Sequence, residues 1–169
     1  SFNRGFRITG SGTNTVGPVL RVANSFDLDG SADFFKVSGS ANAAEIHPLS
    51  SSFTVAGWLN YDALGGTENW ISTYSYPHGF YIRKNSSNKA ALYVLNGITP
   101  NYYSGIVGGT SLTVGKWHFM VGVYTMVASG SSKIDLYLDG VSDATQVTNA
   151  GIISRPTNNF RLMVGSRDW

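Results

Sequence analysis

The sequence contains no cysteine among its 169 residues. The absence of thiols excludes a disulfide framework, a thiolate metal site and a cysteine nucleophile. Charged residues are scarce, at 13% of the chain, and the net charge of +2 comes without any run of Lys and Arg, so nothing indicates a nucleic-acid partner. No apolar run approaches the roughly 18 residues of a membrane helix, and we expect no membrane insertion.

The chain is instead rich in residues that suit β-structure and turns. It has 20 glycines, and 13% of its residues are aromatic. A chain of this length fits one domain with a substantial core. Because low charge with many Gly, Ser, Thr and Asn residues suits secreted all-β proteins, we expect an extracellular or cell-surface location. The sequence starts without Met or a signal peptide, and we expect a mature chain or a piece of a larger protein.

Residues 115–141 carry the clearest local pattern. Ile134, Leu136 and Leu138 alternate with polar residues, which is the period of a half-buried strand. Residues 117–126 are apolar on both sides, which predicts a strand covered on both faces. A Gly/Ser-rich turn joins the two segments, and together they predict a β-hairpin.

Short strands with turn signals between them are predicted along most of the chain. We predict strands at residues 6–9, 19–28, 33–37, 53–61, 69–74, 79–84, 90–95, 102–107, 111–114, 144–147 and 160–166. One helical turn is predicted at residues 42–47. We divide the chain into an N-terminal strand and linker segment, residues 1–17, and one domain, residues 18–169. This pattern indicates an all-β sandwich or barrel.

Six segments occur in an order that resembles a known family. They are residues 26–35 (FDLDGSADFF), 53–61 (FTVAGWLNY), 79–83 (GFYIR), 112–118 (LTVGKWH), 133–141 (KIDLYLDGV) and 160–166 (FRLMVGS). The series resembles bacterial laminin-G-like domains of the concanavalin A-like lectin/glucanase superfamily, near the pentraxins. The resemblance implies a jelly-roll β-sandwich of two antiparallel sheets, usually non-catalytic and often carbohydrate-binding.

The sequence departs from the family after residue 166, where the family continues into a closing strand. Two interpretations of this difference stay open. Residues 1–17 are a linker and the domain lacks its closing strand here, or residues 2–8 (FNRGFRI), which loosely resemble such a strand, fill its place in the same or a neighbouring molecule. An unfilled place would leave a sheet edge open to strand addition.

Catalytic signatures of the superfamily are missing from the sequence. Its retaining glucanases carry an E-x-D-x-E strand, whose two carboxyl groups lie about 5 Å apart. Glu45 and Glu68 are the only glutamates, and neither has an acidic partner at i+2 or i+4. The R-x-E and Q-I-H strands of the related lyases do not occur either. We predict that the chain is not an enzyme and that His118, beside Trp117, is structural.

One structural calcium ion is the only cofactor that the resemblance implies. The family often holds calcium near the opening D-G-S-x-D turn, where Asp29 and Asp33 are the matching carboxylates. Ordinary turn chemistry also explains these residues, since Asp-Gly is a common turn signal.

Two aromatic loops are the candidate ligand site, because Tyr and Trp suit the apolar face of a sugar ring and polar neighbours suit its hydroxyls. The candidate residues are Trp70, Tyr74, Tyr76 and His78 in the first loop, Arg83 on the following strand, and Asn101, Tyr102 and Tyr103 in the second loop. We predict a non-catalytic carbohydrate-binding or adhesion module with a glycan partner. The alternative is a structural module whose partner is another protein subunit.

Overall fold

The computed structural model describes residues 19–21, 25–28, 33–36, 51–73, 78–97, 103–127, 131–148 and 162–165. All regular elements in these ranges are β-strands. They are β1 (Val19–Arg21), β2 (Ser25–Asp27), β3 (Phe35–Lys36), β4 (Phe53–Leu59), β5 (Glu68–Ser72), β6 (His78–Lys84), β7 (Lys89–Asn96), β8 (Tyr103–Ser111), β9 (His118–Thr125), β10 (Ser132–Leu138), β11 (Val141–Thr148) and β12 (Met163–Val164). The part of the chain described has no helix that could cross a membrane.

Four strands form one antiparallel sheet in the order β11-β10-β9-β4. In the hairpin of β9 and β10, Ile134 lies opposite Tyr124 and Leu136 lies opposite Gly122. Ile134, Leu136 and Leu138 are all buried. The hairpin and its buried face, both predicted from the alternating pattern, are therefore confirmed.

Six strands form the second antiparallel sheet, in the order β3-β12-β5-β6-β7-β8. The turn between β6 and β7 is stabilised by Asn85, whose side-chain Oδ1 accepts hydrogen bonds from the backbone N–H groups of Ser87 and Lys89. Asn88 in this turn has a φ of 59°, a left-handed conformation that Asn tolerates better than most residues. A separate pair, β1 and β2, forms a two-stranded sheet.

The core lies between the two large sheets. Ile82 and Leu92 from the six-stranded sheet belong to the same buried cluster as Met120 and Leu136 from the four-stranded sheet. Gly122 faces this interface, and a Cβ atom there would lie 3.0 Å from a methyl group of Leu92. The packing of the sheets confirms the predicted all-β sandwich.

The structure corrects three of the predicted strands. Residues 19–28 are not one strand, because β1 and β2 pair with each other as a hairpin. Residues 111–114 are not a separate strand, since β8 itself extends to Ser111 and ends there. β9 is not covered on both faces: His118, Met120, Gly122 and Tyr124 are buried, whereas the residues between them are half-buried. The predicted strand at residues 6–9, the helical turn at residues 42–47 and the linker at residues 1–17 lie outside the described residues.

Candidate functional site

The outer face of the six-stranded sheet, opposite the core, carries an unusual row of aromatic and basic side chains. Paired residues of neighbouring antiparallel strands project to the same face of a sheet, and successive residues project to opposite faces. Because Ile82 and Leu92 point into the core, their chain neighbours Tyr81, Arg83 and Tyr93 lie on the outer face. Tyr81 is paired with Tyr93 across β6 and β7.

Three tyrosines form a continuous aromatic surface across β6, β7 and β8. The rings of Tyr81 and Tyr93 are stacked, with centroids 4.9 Å apart and planes 19° apart. The Tyr93 and Tyr103 ring centroids are 6.5 Å apart. Gly105, the partner of Tyr93 on β8, makes this possible, because a Cβ atom there would collide with the Tyr93 ring. A glycine thus lets the ring lie flat across the neighbouring strand.

Arg83 lies over the two stacked rings. Its Cζ atom is 5.1 Å from the Tyr81 ring centroid and 4.7 Å from that of Tyr93, within the range of cation–π attraction. The Nε atom is buried and has no hydrogen-bond partner among the residues that the structure describes. The guanidinium is therefore held by ring contacts, and its N–H donors are not used up by the described protein.

Asn69 provides the complementary acceptor on the neighbouring strand. It is the pairing partner of Arg83 across β5 and β6. Its Oδ1 atom is also buried and also lacks a donor in the described ranges. An unpaired donor and an unpaired acceptor thus lie at paired positions beside the aromatic rings. We call Asn69, Tyr81, Arg83, Tyr93 and Tyr103 the tyrosine–arginine face.

The accessible side of this face is at β8. Tyr103 is 60% exposed and Val107 is 41% exposed, whereas Tyr81 is only 9% exposed. Arg83 and Tyr93 are half-buried. A ligand would therefore approach from the β8 side and meet Tyr103 first.

Lys84, the chain neighbour of Arg83, differs from it because its buried charge has hydrogen-bond and ion-pair partners. Its side chain is fully buried, forms an ion pair with Glu68 at 3.2 Å and donates hydrogen bonds to the carbonyl oxygens of Gly65 and Gly66. Its Nζ atom also lies 5.7 Å from the ring centroid of Tyr61. Burial, and secondarily the negative charge of Glu68, raises the pKa of the Tyr61 hydroxyl.

The predicted site residues fall into four groups, and Trp70 forms the last of them. Arg83 and Tyr103 meet on the tyrosine–arginine face, joined by Tyr93. His78 is half-buried at the start of β6. Four others, Tyr74, Tyr76, Asn101 and Tyr102, lie outside the described residues.

Trp70, the remaining predicted site residue, is half-buried, and its ring packs against the sandwich core. The register of β5 against β6 shifts between Asn69 and Ile71, so Trp70 is the extra residue of a β-bulge. Its ring packs against the core cluster and lies where a Cβ atom on Gly57 would be. Trp70 therefore helps to hold the two sheets together.

The strand ends that flank the two predicted loops lie at the same end of the sheet. β5 ends at Ser72 and β6 begins at His78, while β7 ends at Asn96 and β8 begins at Tyr103. His78 is paired with Asn96. Since β5 to β8 follow one another antiparallel, the chain leaves and re-enters the sheet at this end in both cases.

Sequence reasoning missed Asn69, Tyr81 and Tyr93. Tyr81 and Arg83 are two residues apart on one strand, which places them on the same face. That spacing was a usable signal. The neighbours Tyr93 and Asn69 needed the strand register, which the sequence does not display.

Both ring nitrogens of His118 make hydrogen bonds within the fold, which agrees with its predicted structural role. Its Nε2 atom accepts a hydrogen bond from the backbone N–H of Thr113 at 3.1 Å, and its Nδ1 atom lies 2.9 Å from Oδ2 of Asp139. Since Nε2 is the acceptor, Nδ1 carries the proton and donates it to the carboxylate. Neither ring nitrogen is available as a general base. Glu68, the described glutamate, is paired with Lys84.

The predicted calcium site is represented in the structure by Asp33 alone, because Asp29 lies outside the described residues. Asp33 is half-buried next to β3, and its carbonyl oxygen lies near Gly165. Calcium takes six to eight oxygen ligands in proteins, and one carboxylate does not form such a set. No group of three His, Asp or Glu side chains suited to a metal occurs within the described ranges.

Comparison with known proteins shows the family. Residues 29–169 match the model of the concanavalin A-like lectin/glucanases superfamily, and the chain belongs to this superfamily. The match confirms the resemblance drawn from the ordered segments. A search of curated proteins found no match.

Solved structures with the same fold have low sequence identity to the chain. The CBM40 of the Ruminococcus gnavus IT-sialidase, bound to α2,3 sialyllactose, superimposes with a TM-score of 0.58 at 12% identity, over 79% of this chain and 73% of that one. The binding domain of botulinum neurotoxin serotype D/C VPI 5993 gives 0.60 at 17% identity, over 89% and 36%. The binding domain of Paraclostridial Mosquitocidal Protein 1 gives 0.55 at 17%, over 80% and 33%. These similarities confirm the jelly-roll fold.

Proposed function

We propose that this chain is a non-catalytic carbohydrate-binding module of a larger extracellular or cell-surface protein, and that it binds glycans on the tyrosine–arginine face. The observation that carries the proposal is the arrangement of Arg83 and Asn69. A buried donor and a buried acceptor, both without partners among the described residues, lie beside stacked aromatic rings. Buried polar groups in proteins are nearly always hydrogen-bonded, so such a pair points to a ligand or to ordered water.

The chemistry of the face fits a sugar ring. A pyranose has an apolar C–H side that packs against an aromatic ring and hydroxyl groups that both donate and accept hydrogen bonds. Tyr103 and Tyr93 provide the rings. The Nε–H group of Arg83 donates to one ligand oxygen, and Oδ1 of Asn69 accepts from one hydroxyl. The predicted ligand residues Tyr74, Tyr76, Asn101 and Tyr102 remain part of the proposed site.

The similar structures support a binding role. One is a carbohydrate-binding module with bound sialyllactose, and the other two are binding domains of toxins. Neither the described glutamate nor His118 is free for acid–base chemistry. Both points favour a module that binds and does not catalyse.

Affinity electrophoresis of the isolated chain through gels that contain single polysaccharides tests the proposal. We expect at least one polysaccharide to retard the protein, and Tyr103→Ala or Tyr93→Ala to abolish the retardation. Trp58→Ala is the matched control, because Trp58 is 63% exposed on β4 of the other sheet. Binding that depends on Trp58 and not on Tyr103 would place the site on the wrong sheet and refute the proposal.

A second candidate function is a structural module with a protein partner, and one observation favours it. β4 is at the edge of its sheet, and no described strand pairs with its outer side. A cavity of 280 Å³ adjoins it, lined mainly by Phe53, Val55, Ile71, Phe80 and Leu162. An edge strand beside an apolar groove suits strand addition. Concentration-dependent association in sedimentation velocity, together with no glycan binding, would favour this alternative.

We also propose one structural calcium ion at Asp29 and Asp33, on the strength of the family resemblance. Calcium would cross-link the turn between them and stabilise the folded state by binding it preferentially. The melting temperature should rise in calcium chloride relative to EDTA, and Asp29→Asn should remove the difference. An equal melting temperature in both buffers would rule the ion out.

A further inference from the structure

Resting on the proposed function, we infer that the tyrosine–arginine face selects glycans that carry an anionic group, a carboxylate or a sulfate, and that Arg83 binds this group. The shared chemistry is a sugar ring with a negatively charged oxygen cluster beside it. The inference starts from the charge of Arg83 and from what surrounds it.

The positive charge of Arg83 is not balanced by the described protein. Three lysines in the described ranges have an acidic partner within 4 Å: Lys84 with Glu68 at 3.2 Å, Lys116 with Asp139 at 3.3 Å and Lys133 with Asp135 at 2.9 Å. Arg83 has no such partner there, and its described contacts are the rings of Tyr81 and Tyr93. Unlike these three lysines, Arg83 has no acid among the described residues to balance its charge.

The described strand positions paired with Arg83 carry no carboxylate. Its paired neighbours are Asn69 on β5 and Ala91 on β7, and Val107 follows on β8. Glu68, next to Asn69 in sequence, forms its ion pair with the inward-facing Lys84. The described strands thus supply no negative charge to Arg83, and an anionic ligand would supply it.

The ring contacts hold the guanidinium of Arg83 beside the aromatic surface. Its Cζ atom is 5.1 Å from the Tyr81 ring centroid and 4.7 Å from that of Tyr93, and no described residue accepts a hydrogen bond from the guanidinium. Its Nε atom is buried and has no acceptor in the part of the chain that the structure describes, and an unsatisfied buried charged donor is costly. A carboxylate or sulfate accepts two parallel N–H bonds from a guanidinium, whereas a hydroxyl accepts one and brings no charge.

Asn69 selects for a second feature of the ligand, a hydroxyl group beside the anionic group. Its buried Oδ1 atom accepts hydrogen bonds and so suits a ligand hydroxyl, whereas the charged guanidinium of Arg83 suits the anionic group. The paired positions of the two residues would thus orient a sugar that has an acidic substituent next to a hydroxyl-bearing carbon.

Matched glycans that differ in charge test the inference. The probes are polygalacturonate against fully methyl-esterified polygalacturonate, dextran sulfate against dextran, and 3′-sialyllactose against its carboxyl methyl ester. We expect an acidic member to bind about tenfold or more tightly than its neutral partner, the effect of one charge-assisted hydrogen-bond pair. The carboxylated and sulfated arms tell the two anionic groups apart.

Two variants with the same change in charge identify the residue. Arg83→Gln should bring the acidic and neutral members to equal affinity. Lys133→Gln removes a cation from the other sheet and should leave the preference unchanged. Arg83→Lys should retain only part of the preference, because it keeps the charge and loses the planar fork.

The outcomes separate the inference from the proposed function. Equal binding of acidic and neutral members, lost in Tyr103→Ala, overturns the anion preference and leaves glycan binding intact. A preference that survives Arg83→Gln overturns the role of Arg83. Failure of all six glycans to bind overturns both. The preference for acidic glycans is measured first on the unmodified protein. A variant that fails to fold therefore cannot hide that result.

Discussion

The ring of His118 donates to the carboxylate of Asp139 across 2.9 Å, and this contact joins the start of β9 to the turn after β10. The other carboxylate oxygen of Asp139 accepts the backbone N–H of Phe119 at 2.9 Å. The backbone N–H of Asp139 in turn donates to the carbonyl of Phe119. Asp139 also has a φ of 53°, a conformation that Asp tolerates better than most residues.

Asp139→Asn should destabilise the protein in a pH-dependent way. The pKa of the Asp139 carboxyl is lowered, first by the Phe119 hydrogen bond and then by His118 and Lys116. A lowered pKa adds stability that is present above the unfolded value, near 3.8, and is lost as the pH falls through the folded value. We expect a loss of about 1–2 kcal/mol at pH 7, which urea unfolding measures and which shrinks at acidic pH.

Asp62→Asn is the control for this effect. Asp62 is exposed in the loop after β4 and has no described ion pair. Its substitution should change stability by less than about 0.5 kcal/mol. A loss in Asp139→Asn that stays the same at every pH would contradict the assigned cause.

Removal of the buried Lys84 amine should lower the free energy of unfolding by more than the ion pair with Glu68 contributes to it. Lys84→Met leaves the carbonyls of Gly65 and Gly66 without their donor, and we expect a loss of about 2–4 kcal/mol. Glu68→Gln alone should cost only about 1 kcal/mol, since that carboxylate is 46% exposed. Denaturant unfolding of both single variants and the double variant gives their coupling. No coupling would show that the carbonyls, and not Glu68, stabilise the amine.

The sequence predicted the sandwich well because alternation is a local property. Ile134 and Leu136 are two residues apart, and their burial follows from that spacing alone. Trp70 shows where local reasoning stops. Trp70 lies at a one-residue bulge and its ring packs against the core, and nothing in the adjacent sequence marks this shift in register.

The candidate site was predicted only in part for the same reason. Arg83 and Tyr103 were selected separately from their local composition, but the stack that joins them needs Tyr93, which lies ten residues from each along the chain. Their meeting depends on the pairing of β6 with β7 and β7 with β8. Pairing register is a property of the whole fold.

Tyr61→Phe should keep or raise stability and should make it less sensitive to alkali. The Tyr61 hydroxyl is buried without a described hydrogen-bond partner, so its removal relieves an unsatisfied polar group. Burial raises its pKa above the usual 10.0, so folding loses stability as the pH rises through 10 toward the folded value. Thermal unfolding between pH 8 and pH 11 should show a smaller decline in the variant. An equal decline in both proteins would mean that other groups cause it.

Gly105→Ala should weaken glycan binding while leaving the core intact. A Cβ atom at residue 105 would overlap the Tyr93 ring, which already has Tyr81 stacked on its other side at 4.9 Å. The ring must therefore tilt, and the surface shared by Tyr93 and Tyr103 is broken. We expect binding to fall about tenfold, equivalent to about 1.4 kcal/mol, with a change in near-ultraviolet circular dichroism and little change in melting temperature. Gly66→Ala is the control, because no atom lies within 4 Å of a Cβ there and its φ of 64° costs stability without touching the face. If Gly105→Ala binds as tightly as the unmodified protein, the flat ring of Tyr93 is not part of the binding surface.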